Sequence, residues 1–157
     1  MAERIEIETE GRPSEPPVVS CGTYNAPTGR IVLGTEQGEL LLYDAAQANL
    51  AHWIVLPNGC KVRAIATGPG AKVYGYCGAD DSIGEIFVLD LRGPQARLLG
   101  IPQVDSEPRF WTTHRCDCAV MGPQGEVYLG EADRISHLVV YRPASEENLH
   151  SHPRENS

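Results

Sequence analysis

The sequence predicts an all-β chain made of about three repeats of one four-stranded antiparallel unit. A pattern recurs three times, and it is the first of three observations behind this prediction. Its copies are Gly29-Arg30-Ile31-Val32-Leu33 with Gly38-Glu39-Leu40-Leu41-Leu42-Tyr43-Asp44, then Ala71-Lys72-Val73-Tyr74 with Gly84-Glu85-Ile86-Phe87-Val88-Leu89-Asp90, then Gly125-Glu126-Val127-Tyr128-Leu129 with Ser136-His137-Leu138-Val139-Val140-Tyr141-Arg142. Second, a proline stands in register before each copy, in Ala26-Pro27-Thr28, Gly68-Pro69-Gly70 and Gly122-Pro123-Gln124. Proline presets φ for a tight turn, so each triplet reads as a link between two strands. Third, the apolar runs are short, β-branched or aromatic, and punctuated by Gly and Pro, which excludes helical repeats. Asp44 to Leu50 is the best helical candidate, and it is short.

Taken in order, residues 1–17 form an N-terminal arm. Within it Arg4-Ile5-Glu6-Ile7-Glu8 alternates as a half-buried edge strand does. It reads either as a strand donated to complete the third unit, within the chain or from a partner, or as an exposed terminus. Residues 18–143 carry the repeats, divided at about 18–57, 58–113 and 114–143. Val62 to Thr67 and Cys116 to Met121 are the first strands of the second and third units. His52-Trp53-Ile54-Val55-Leu56-Pro57 and Arg97-Leu98-Leu99-Gly100-Ile101-Pro102 are the fourth strands of the first two, each stopped by proline. The third unit lacks a fourth strand. Residues 144–157 are polar and without aromatics, the composition of a disordered tail.

Composition narrows the function classes. The chain has 157 residues, 41% of them apolar, which suffices for a sizeable core. A net charge of −8 with no basic stripe argues against nucleic acid as partner. Nothing in the first ten residues resembles a signal peptide, and no run approaches the ~20 apolar residues that span a bilayer. Five scattered cysteines fit reduced thiols in a cytoplasmic setting. No cofactor motif is present.

From Gly29 to its counterpart Ala71 is 42 residues, and from Ala71 to Gly125 is 54. Four strands in roughly 40–45 residues is the size of a propeller blade. The strand pattern resembles β-propeller repeat proteins of the PQQ and YVTN types. Tyr43-Asp44-Ala45-Ala46 followed by Trp53 is similar to the PQQ-type segment that leads to a tryptophan. The resemblance covers about residues 18 to 143 and implies a β-propeller-like fold, with Trp53, Trp111 and the tyrosines at 24, 74, 76 and 128 as packing aromatics. It implies little about function, because propellers host enzymes, binders and scaffolds alike. Propellers have roughly 4–8 blades, and three leave a ring incomplete. Either the chain is part of a larger ring, or two chains supply six blades about a two-fold axis.

Two constellations carry candidate chemistry. The loops between second and third strands emerge at one rim and hold Glu36, then Asp80 and Asp81, then Glu131, Asp133, Arg134 and His137. Carboxylates, an arginine and a histidine suit a polar ligand or acid–base work, and they equally suit solvated turns. The second constellation is His114-Arg115-Cys116-Asp117-Cys118. His114, Cys116 and Cys118 are metal-ligand types, and Cys-x-Cys on a strand places both thiols on one face about 6–7 Å apart. Cys118 aligns with Gly22 and Ala64, which favours a small core filler instead.

The expected function is a non-catalytic binding or scaffold module that holds a protein or small polar ligand at its loop rim. The alternative is a fragment or subunit of a propeller enzyme acting on carbohydrate or another polar substrate.

Overall fold

The computed structural model of the chain describes residues 2, 16–102, 115–132 and 137–143. The alternating segment at 4–8, Trp111, His114, Asp133, Arg134 and the tail from 144 lie outside them. Strands β1 (Val19–Asn25), β2 (Arg30–Thr35), β3 (Glu39–Asp44) and β4 (Asn49–Val55) form the first antiparallel sheet, in chain order. β5 (Val62–Thr67), β6 (Lys72–Cys77), β7 (Glu85–Asp90) and β8 (Gln95–Gly100) form the second. β9 (Cys116–Met121), β10 (Val127–Glu131) and β11 (Leu138–Tyr141) form a third, three-stranded sheet. Every strand pairs with its neighbour in sequence, so each sheet closes only short loops. The sheets stay separate, and none curls into a barrel. No helix among the described residues is long and apolar enough to cross a membrane.

The proline triplets are turns. Gly29 donates its amide to the Ala26 carbonyl at 3.3 Å and Gly125 to that of Gly122 at 3.2 Å. Both glycines hold positive φ, 66° and 79°, a conformation side chains disfavour. The first turn is one residue longer than the others. Four residues separate the paired Asn25 and Arg30, whereas three separate Gly68 from Lys72 and Gly122 from Glu126. An ungapped alignment therefore slips by one along β1. Cys21, rather than Gly22, occupies the place of Ala64 and Cys118.

Asn25 stands at that lengthened turn, fully buried. Its amide nitrogen donates to Thr67 Oγ1 and to the Gly70 carbonyl, each at 2.9 Å, and its oxygen accepts from the Thr28 amide at 3.1 Å. One side chain thus ties the first sheet's turn to the second's. In the third turn, Glu126 accepts from the Gln124 amide at 2.9 Å and the Tyr128 hydroxyl at 3.2 Å. Its carboxyl is held below the ordinary range by its own backbone amide first, then by these donors and Arg142. The segment 44–50 is not helical. Asp44 Oδ1 accepts from the amides of Ala46 and Gln47 at 3.0 Å, an Asx turn that competes with helix, and β4 then begins at Asn49.

The sheets stack face to face, with β1 beside β5 and β5 beside β9. Alternation along the strands sorts residues to two faces. From the first sheet, Val32, Leu40 and Leu42 pack on Val73, Phe87 and Leu89 of the second. From the opposite face of the second sheet, Tyr74, Tyr76, Ile86 and Val88 pack on Val127 and Leu129 of the third. The rings of Tyr74 and Tyr141 lie 5.7 Å apart at 51°. Gly75 leaves the room that Phe87 fills, since a Cβ there would strike the Phe87 ring. Tyr76 is fully buried, and its hydroxyl accepts from the Gly84 amide at 3.0 Å. Tyr24 departs from the packing role expected of it and is exposed.

Candidate functional site

The first strand of every sheet breaks its ladder at the same place. Register shifts between Val19 and Cys21, between Val62 and Ala64, and between Cys116 and Cys118. The extra residues are Ser20, Arg63 and Asp117. A bulge bends the strand and re-aims its side chain, and here the side chains reach between sheets. Ser20 Oγ donates to the Val62 carbonyl at 2.5 Å. The Arg63 side chain is only 2% exposed. Its Nε donates to the Gly78 carbonyl at 2.9 Å, Nη1 to Asp117 Oδ1 at 3.0 Å, and Nη2 to Asp80. Asp117 Oδ2 accepts from Arg115 Nε at 2.8 Å. A buried guanidinium needs such saturation, because an unpaired charge there is costly.

This chain of contacts connects the three predicted loops. Glu36, just after β2, pairs with Lys61 Nζ at 3.5 Å, and the Lys61 carbonyl accepts from the Gly78 amide at 2.9 Å. Gly78 opens the loop that carries Asp80 and Asp81. Arg63 links it to Asp117, and the Arg115 carbonyl accepts from Ala132, beside Glu131, at 2.9 Å. Asp80, Asp81 and Glu36 are exposed, whereas the Glu131 side chain is 1% exposed and sits 2.7 Å from Nδ1 of the 39%-exposed His137. The structure therefore places Glu36, Asp80 and the Glu131–His137 pair along one connected edge. Asp81 joins them through its loop alone.

Sequence reasoning missed Arg63 and Lys61, and it placed Arg115 and Asp117 in the metal-type cluster rather than at this edge. The signal for Arg63 was a lone arginine in an otherwise apolar strand, Val62 to Ala66, where a charge must find partners. Those partners stand 17 and 54 residues away, beyond any local pattern.

The paired-thiol expectation fails, and the bulge at Asp117 is the reason. Cys118 pairs with Gly130 and Cys116 with Glu131, adjacent residues that point to opposite faces. Cys116 is buried in the core, whereas Cys118 is exposed, so it is not a core filler either. Among the described residues no three His, Cys, Asp or Glu groups gather as a metal site would require. Burial raises the Cys77 thiol to about 11 and also raises Cys21, which removes both as nucleophiles near neutral pH. A groove of about 240 Å³ lies between β8 and β11, lined by Leu99, Ile101, Pro102, Val139 and Tyr141 among others. Its lining side chains are mostly apolar, and it lacks the converging polar side chains of a small-molecule site.

No protein-family model matches the sequence, and no curated protein matches it. Function must be read from the site itself.

Proposed function

We propose that the chain is a propeller-type binding module, its sheets successive blades and its connected loops a recognition rim. Support comes from the common strand order, the shared bulge, and the face-to-face stacking with first strand beside first strand. The observation that carries the reading is the hydrogen-bonded path from Glu36 through Lys61, Gly78, Arg63, Asp117 and Arg115 to Ala132. It fixes three loops relative to one another, the rigidity a binding edge needs to avoid ordering costs on association. Asp80 and Asp117 take up the Arg63 charge, and Lys61 pairs with Glu36. The exposed Asp81, with the remaining acceptor sites of Glu36 and Asp80, therefore gives the outer edge its hydroxyl-accepting character. A small polar ligand rich in hydroxyl or cationic groups, or a protein loop of that chemistry, suits it.

Calorimetric titration with a panel of oligosaccharides, polyols and basic peptides tests this. A binder is expected, and Glu36→Ala combined with Asp81→Ala weakens it by roughly tenfold or more. Binding that is unchanged in the double variant removes the rim as the site. One observation favours an enzyme instead. Glu131 holds the His137 imidazole by a 2.7 Å contact, the orienting half of a general base. Hydrolysis of a member of the same panel that is lost in His137→Ala would favour that reading.

A further inference from the structure

Each sheet has two faces, and the two internal interfaces use them in the same way. The face that carries Val32, Leu40 and Leu42 in the first sheet is buried on the second. By register its counterparts in the second sheet are Tyr74, Ile86 and Val88, buried on the third. The same positions in the third sheet are Tyr128, Leu138 and Val140, with Val120 opposite Tyr128 and Cys118 opposite Gly130. Here Leu138 is 67% exposed, Val120 62% and Val140 38%. A face that is core twice over stands open at the third occurrence.

The surface that would complete it is encoded in the chain. Both internal interfaces receive this face on the opposite side of the following sheet, through Val73, Phe87 and Leu89 or through Val127 and Leu129. In the first sheet that opposite side carries Ile31, Leu33 and Tyr43, each half-buried, around the fully buried Leu41, with Tyr24 at its exposed end. We infer that the open face of the third sheet docks on the first sheet of a second copy of this chain, continuing the internal stack across the interface. Propellers close with roughly 4–8 blades, and six is the multiple of three in that range, so two copies meeting head to tail at both ends close one ring. This inference rests on reading the sheets as blades.

Light-scattering mass across micromolar to millimolar concentrations tests it. The expected mass is twice 17.1 kDa. Leu138→Glu and Val120→Glu, at exposed positions where a charge costs the single chain little, should each return the mass of one chain. Maleimide labelling of Cys118, read on its own peptide, should be at least about tenfold slower in the assembly than in Leu138→Glu, following the occupied fraction. A single-chain mass at every concentration overturns the inference. So does a dimer that survives both substitutions, or a filament in place of a closed pair. Val73→Ala and Val127→Ala probe the blades independently of assembly. If both lower the melting temperature of one cooperative transition, the internal stack stands even where assembly fails.

Discussion

The second and third sheets share a turn, a bulge and a strand register, and they differ in what covers them. β6 and β7 are buried almost throughout, with one face on the first sheet and the other on the third. β11 alternates between exposed and half-buried residues, although Leu138-Val139-Val140-Tyr141 is as apolar as Ile86-Phe87-Val88-Leu89. Apolar composition thus marks a strand's capacity for burial, and the neighbouring sheet decides whether burial occurs. The same difference separates the thiols: Cys77 lies inside the stack and Cys118 on its open end.

The largest test of that contrast is Phe87→Ala. Phe87 is fully buried over Gly75, so the substitution leaves a cavity and should cost about 3–5 kcal/mol in urea unfolding. A loss under about 1 kcal/mol would show that the second sheet is not the packed centre. Next in size is the buried thiol. Cys77 rises from 9.0 to about 11 through burial, so the folded chain favours its neutral form. Its contribution to stability is complete below pH 9.0 and is lost as pH climbs through about 11, on the order of 2–3 kcal/mol. Denaturation midpoints compared between pH 8 and pH 11 should show this loss, and Cys77→Ala should flatten it. An unchanged slope would mean that solvent reaches β6. The finest test uses one residue type at equivalent places. Val88→Ala should cost about 2 kcal/mol, and Val140→Ala under about 0.5 at dilutions where one chain stands alone. Equal costs would mean that the third sheet's open face is covered.

Much of this architecture was legible in the sequence. The bounds expected for β5 and β9 are those observed, because apolar runs stopped by Gly-Pro turns leave little choice of register. What escaped was set by single extra residues. The bulge at Asp117 reverses one thiol relative to the other, and nothing in Cys116-Asp117-Cys118 announces it. The longer turn after Asn25 moves Cys21 into a place that alignment gives to Gly22. The Asp44 Asx turn hid in an alanine-rich segment that reads as helix. Along the connected edge, the loops and their carboxylates could be named from spacing, whereas the arginine that fixes them needed partners from two sheets. Polar networks of that kind depend on which backbones meet, and side-chain periodicity carries no record of it.

The strictly sequential pairing of strands has a dynamic consequence. Each sheet holds only the next, so cooperativity passes between nearest neighbours, as in stacked repeats. In the single chain, opening should therefore begin at the lightly covered third sheet and proceed inward, with Asn25 and Arg63 as the latches that delay it. Amide hydrogens of β6 and β7 should then exchange last, leaving a gradient of protection that runs outward to β11.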